Sequence, residues 1–102
     1  MSSVGDNNPV PSYKDEFKKG LELFEESFQA YQQSNIANQK LAFQDVMGKA
    51  THIMDETSDE CLSASGKKNL NKLKNDYEQF LKNPNSEIMK AIQSDLNNLK
   101  SS

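Results

Sequence analysis

One histidine and four carboxylates fall close together in this chain: His52, Asp55, Glu56, Asp59 and Glu60. On a helix, His52/Glu56, Asp55/Asp59 and Glu56/Glu60 each lie one turn apart, so several of them share a face. The first chemistry such a set suggests is metal binding. A carboxylate-bridged centre inside a helical bundle draws Glu and Glu-x-x-His sets from several helices. Here the order is reversed, His52-x-x-Asp55, and the chain has a single histidine. An EF-hand is excluded as well, because Asp55-Glu56-Thr57-Ser58-Asp59-Glu60 lacks the glycine at loop position 6. No metal and no cofactor are expected, and the patch reads as a solvated acidic face or a surface that orients a partner.

Two other residue types could carry chemistry. Cys61 is the single cysteine, nine residues from His52, or about 13.5 Å along a continuous helix, too far for a nucleophile–base pair. It falls on a seam of small residues and reads as a buried thiol. Lys67, Lys68, Lys72 and Lys74 form the one basic cluster. It lacks the aromatic interleaving that stacks on bases, and the segment before it is acidic, so a nucleic-acid surface is only the alternative reading. All 12 basic residues are lysine, and arginine is the residue of bidentate phosphate and base-edge recognition. Lysines near the start of a helix oppose its dipole, which suggests that they meet an acidic surface, the Asp55–Glu60 patch or a partner. With no phosphate loop and no nucleophile motif, the chain is expected not to be an enzyme.

Composition narrows the frame that must position these groups. The 102 residues allow one domain, the net charge is −3, and only 34% of residues are hydrophobic, which suggests a thin, elongated or shared core. The longest apolar run, Leu41-Ala42-Phe43, is far short of the roughly 20 residues of a membrane span. No secretory signal is recognisable, and a single cysteine forms no internal disulfide, so a reducing, cytoplasmic setting is the default expectation, with export by a signal-less route left open. Charge is uneven: residues 34–64 carry 2 lysines against 5 acids, and residues 65–82 carry 5 against 2. The two stretches are suited to face each other in one fold or to steer a partner.

Apolar spacing places the elements. Residues 1–11 read as a flexible tail, and 12–100 as a single helical-bundle domain. Phe17, Leu21, Phe24, Phe28 and Tyr31 alternate at +4 and +3, predicting helix 1 over 12–33 after a Ser12 cap. Gly20 interrupts that helix at a cost of about 1 kcal/mol relative to alanine; it leaves room for a neighbouring helix to approach, which the sequence by itself does not show. From Ile36 onward, Phe43, Met47, Ala50, Met54, Thr57, Cys61 and Ala64 continue the same alternation. They predict a long second helix that frays or kinks after Thr57 and ends at Gly66. Leu70, Leu73, Tyr77 and Phe80 predict helix 3 over 67–82, and Ile88, Ile92, Leu96 and Leu99 predict helix 4 over 84–100, with Pro84 at its first position after an Asn83 cap. The fold class is all-α: an elongated antiparallel bundle of three to four helices with coiled-coil-like seams.

The function that follows is non-catalytic protein–protein interaction. The expected molecule is an adaptor, assembly factor or chaperone-like subunit that offers a hydrophobic helical groove to a partner or to a second copy. Helical-bundle chaperones and substrates of specialised bacterial secretion systems share this size, acidity and cysteine poverty. On this reading Phe24, Phe28, Met47 and Met54 line the groove, and Asp55, Glu56, Asp59 and Glu60 set the orientation of the partner. The alternative is a small nucleic-acid-associated regulator using Lys67, Lys68, Lys72 and Lys74.

Overall fold

The structure, a computed structural model, describes residues 13–101. The expected tail over 1–11 and the Ser12 cap lie outside the described residues. Four helices follow in order, α1 (Tyr13–Gln33), α2 (Ala37–Cys61), α3 (Ala64–Lys82) and α4 (Ser86–Ser101), with no strand among the described residues.

Side-chain contacts fix the directions of the helices. Gly20 of α1 faces Ala50, Ile53 and Met54 of α2, whereas Lys40 near the start of α2 lies over the ring of Tyr31 near the end of α1. These two helices are therefore an antiparallel hairpin. Asp59 meets Lys67 and Asp55 meets Lys74, so α3 runs back along α2. The molecule is two antiparallel hairpins, α1–α2 and α3–α4, laid against each other in a body of 50 × 31 × 18 Å. At the backbone, α1 lies closest to α2 and α3 closest to α4; α2 meets α3 over a shorter stretch, and α1 and α4 stand apart.

The predicted seams supply the core. Phe17, Leu21, Phe24, Phe28 and Tyr31 of α1 are all buried, as are Met47, Ala50 and Met54 of α2, Leu70, Leu73 and Phe80 of α3, and Ile92, Leu96 and Leu99 of α4. Aromatic rings join the hairpins through the middle. Phe24 meets Tyr77 edge-on at 5.7 Å, and Phe80 takes the edges of Phe28 at 6.0 Å and Tyr31 at 4.8 Å. Edge-to-face rings at such spacings add about 0.5–1.5 kcal/mol each beyond their burial. Tyr77 also donates its hydroxyl to the Gln44 carbonyl at 2.9 Å, which pins α3 to the upper half of α2.

Two boundaries differ from the sequence expectation. Helix α2 ends at Cys61, not at Gly66, because Leu62 turns extended and Ser63 caps a new helix by accepting the Gly66 N–H on its Oγ. The +4, +3 period passes through this turn only because Thr57, Cys61 and Ala64 are small enough to suit either a helix or a helix junction. Gly66 is accordingly in the first turn of α3, and no described residue has the left-handed backbone of a glycine helix stop. At the other end of α3, Asn83 terminates the helix and Asn85, not Asn83, caps α4, its Oδ1 accepting the Ile88 N–H at 2.9 Å. Pro84 stands in the connection and does not open the helix.

Candidate functional site

The four residues expected to line an open groove are instead inside the molecule. Phe24, Phe28, Met47 and Met54 are fully buried, with Phe24 and Phe28 packed on the α3 rings. The seams close on each other, so these side chains offer no surface to a partner in this state.

The acidic patch is where the sequence placed it, exposed on the outer face of α2. Two of its members look toward the basic stretch of α3. Asp55 accepts from Lys74 at 2.7 Å, and Asp59 pairs with Lys67 at 3.0 Å. His52 and Glu56 pair with each other at 3.3 Å, both largely in solvent. Lys72 turns the other way, to Asp76 one turn on and to Asp95 of α4, while Lys68 is exposed. Three of the four lysines in the basic cluster thus face carboxylates of their own chain. Among the described residues, no three His, Cys, Asp or Glu side chains gather in a group fit for a metal ion.

An apolar groove does open, at a different place. It lies where α1 and α4 stand apart, with a volume of about 390 Å³. Phe17 and Leu21 of α1, Leu99 of α4 and Leu62 of the α2–α3 turn form its walls, with Cys61 beside them. Lys18, Glu22, Glu25 and Lys100 surround its mouth, and Lys100 reaches across to bond Glu25. Helix α2 stops at Cys61, and the turn that follows brings Leu62 to the same groove as Leu99 and Lys100 of the last turn of α4. Cys61 is half-buried here, not sealed, its thiol donating to the Thr57 carbonyl at 2.9 Å. Loss of hydration pushes its thiol pKa up, with the Glu60 charge adding to it, against the smaller opposing effect of the Thr57 side chain.

The second feature that spacing alone left unmarked is Asp95. It is 1% exposed, in the α3–α4 contact, between Ile92 and Leu99. The Lys72 ammonium stands 3.1 Å from its Oδ1, yet neither carboxylate oxygen has an aligned hydrogen bond. Burial and the neighbouring Asp76 push its pKa up to about 6, against the pull of Lys72. Asp76 moves the other way: its own desolvation raises it, but the neighbouring Asp95 and the Lys72 ammonium at 3.0 Å outweigh this and hold its carboxylate below the usual range.

No helix among the described residues is long and apolar enough to cross a membrane. No protein-family model, curated protein or solved structure matches the chain.

Proposed function

We propose that the chain is a non-enzymatic interaction module that seats the apolar edge of a partner's amphipathic helix in the groove between α1 and α4. The observation that carries this reading is the ring of Phe17, Leu21, Leu62 and Leu99, four apolar side chains from three parts of the chain, around an open volume of about 390 Å³. The groove lies between two helices, so a third helix can lie along them and place one or two apolar side chains inside. Charges of both signs at its mouth, Lys18 and Lys100 with Glu22 and Glu25, suit a partner helix with mixed charge flanking its apolar stripe. Adaptor, assembly-factor and chaperone-like roles, including service to a secretion system, all use a seat of this kind. The acidic face of α2, with Glu56 and Glu60, remains in solvent to steer the encounter.

Cys61 is the chain's single cysteine and borders the groove, so it reports occupancy directly. A photo-crosslinker attached to this thiol should capture a partner segment of amphipathic helical pattern. Leu62→Glu should abolish capture while keeping the helical circular dichroism spectrum of the bundle, with a modest fall in melting temperature because Leu62 is partly packed on the core. Capture that survives Leu62→Glu but is lost on combining Lys67→Glu with Lys74→Glu would replace this reading with the basic-face one.

A further inference from the structure

We propose that the contact between α3 and α4 is a proton-operated latch, in which Asp95 takes up a proton from solution as the pH falls below neutrality and then donates it in a hydrogen bond to Asp76.

The geometry carries the argument. Asp95 replaces an apolar residue in the core face of α4: Ile88, Ile92, Asp95 and Leu99 fall at +4, +3, +4, and Leu96 beside it is fully buried. A carboxylate at such a position must either be paired by well-aligned donors or lose its charge. The groups that act on it are Lys72 and Asp76, both from α3. No charged side chain of α1 or α2 is among the groups that act on it. Two carboxylates therefore share one ammonium, and that ammonium is itself largely in solvent. When both acids are ionised, a net negative charge is held against the apolar contact with neither Asp95 oxygen satisfied by an aligned donor. One proton relieves this: Asp95 becomes neutral, its hydroxyl finds the Asp76 carboxylate, and Lys72 remains beside that carboxylate at 3.0 Å. The latch is tight when protonated and slack when ionised. Leu99 and Lys100, in the turn after Asp95, form one wall of the α1–α4 groove, so the latch also governs how firmly that wall is held.

The sign follows from linkage. The folded-state pKa lies above the unfolded value, so the folded chain binds more protons and stability falls as pH rises between the two values. With a folded value of about 6 against the ordinary 3.8, the opening equilibrium at pH 5 should be about tenfold smaller than at pH 8. The test uses the full chain carrying His52→Gln, which removes the one histidine from this pH window. Native-state hydrogen exchange of the α4 amides, corrected for intrinsic rates, is followed from pH 5 to pH 8. The Asp95 carboxyl carbon is titrated by NMR in the same chain. Expected are slower opening of α4 at pH 5 and an Asp95 midpoint above the range of the exposed aspartates. Asp95→Asn, a permanently neutral donor, should flatten the exchange profile at its low-pH level, and Asp76→Asn should lower the Asp95 midpoint. An Asp95 midpoint among those of the exposed aspartates overturns the proposal, with or without a folded variant. So does an Asp95→Asn chain that keeps the full pH slope.

Discussion

Replacing Gly20 with alanine should destabilise the protein, although the same change in an exposed helix interior stabilises by about 1 kcal/mol. The reason is the approach of α2. A methyl group at Gly20 would stand 3.0 Å from Ile53 Cγ2, 3.1 Å from Met54 Cγ and 3.2 Å from the Ala50 carbonyl oxygen. Carbon–carbon contacts are most favourable at about 3.5–4.0 Å. Relief would need several tenths of an ångström from three atoms at once. One belongs to the α2 backbone, one to a β-branched side chain with a stiff χ1, and one to a fully buried methionine. Overpacking of this kind costs about 1–3 kcal/mol, so the net change after the helix-propensity gain is about 1 kcal/mol of lost stability. For a domain of this size that is a fall in Tm of about 4–8 °C.

Urea unfolding followed by circular dichroism measures the change directly, and Gly66→Ala supplies the internal comparison. At Gly66 the new methyl meets only the side chain of Leu62, at 3.1 Å and beyond, and leucine can move where a backbone oxygen cannot. Gly66→Ala should therefore be neutral or mildly stabilising. If Gly20→Ala instead gains about 1 kcal/mol, the close packing of α1 on α2 is wrong and so is the register of the first hairpin.

Three further outcomes follow from the contacts described. Phe80→Ala removes the ring that holds Phe28 and Tyr31 and should cost about 3–5 kcal/mol in the same urea assay. Lys67→Ala and Lys74→Ala should each cost under about 1 kcal/mol, an effect that shrinks further in salt, because the pairs with Asp59 and Asp55 lie at the surface with both partners partly in solvent. Cys61 should react with a thiol reagent at neutral pH more slowly than free cysteine, with a rate still climbing into alkaline solution, because desolvation holds its thiol above the usual value. A rate that levels off below the pKa of free cysteine would contradict that environment.

The helices were legible because core-facing positions demand the same residue types at the same spacing in any bundle, and all five residues of the α1 stripe are buried. Ends of helices were less legible. Thr57, Cys61 and Ala64 keep the period through a turn, and only the competition between Ser63 as a cap and Gly66 as a stop decides where α2 finishes; the serine won. The pairing of acidic and basic stretches was also visible as charge, and Asp55–Lys74 and Asp59–Lys67 realise it. Asp95 was overlooked although its signal was present. The α4 seam runs Ile88, Ile92, position 95, Leu99 at regular intervals, and an acid stands at the third of these. An acid on the apolar face of a helix is a stronger pointer than an acid cluster on the polar face. The cluster at Asp55–Glu60 drew attention by its density, but density of charge on a solvated face is inexpensive and common.

The low apolar content is resolved by where the remaining apolar surface lies. With the seams closed, 14 hydrophobic side chains among the described residues form one core, and what matters next is which apolar atoms that core leaves over. Ile36, Leu41 and Leu81 are well exposed, yet they sit singly near the ends of helices, and isolated exposed leucines are ordinary. Phe17, Leu21, Leu62 and Leu99 differ, because each is largely or partly packed and together they wall a concavity. Concavity matters more than exposure for recognition, since an inserted side chain is desolvated on several sides at once. A partner gains more by filling that groove than by covering the scattered leucines. The order of effects can be measured: Leu62→Glu should impair partner binding far more than Leu41→Glu, and equal impairment would move the interface to the α2 end of the bundle.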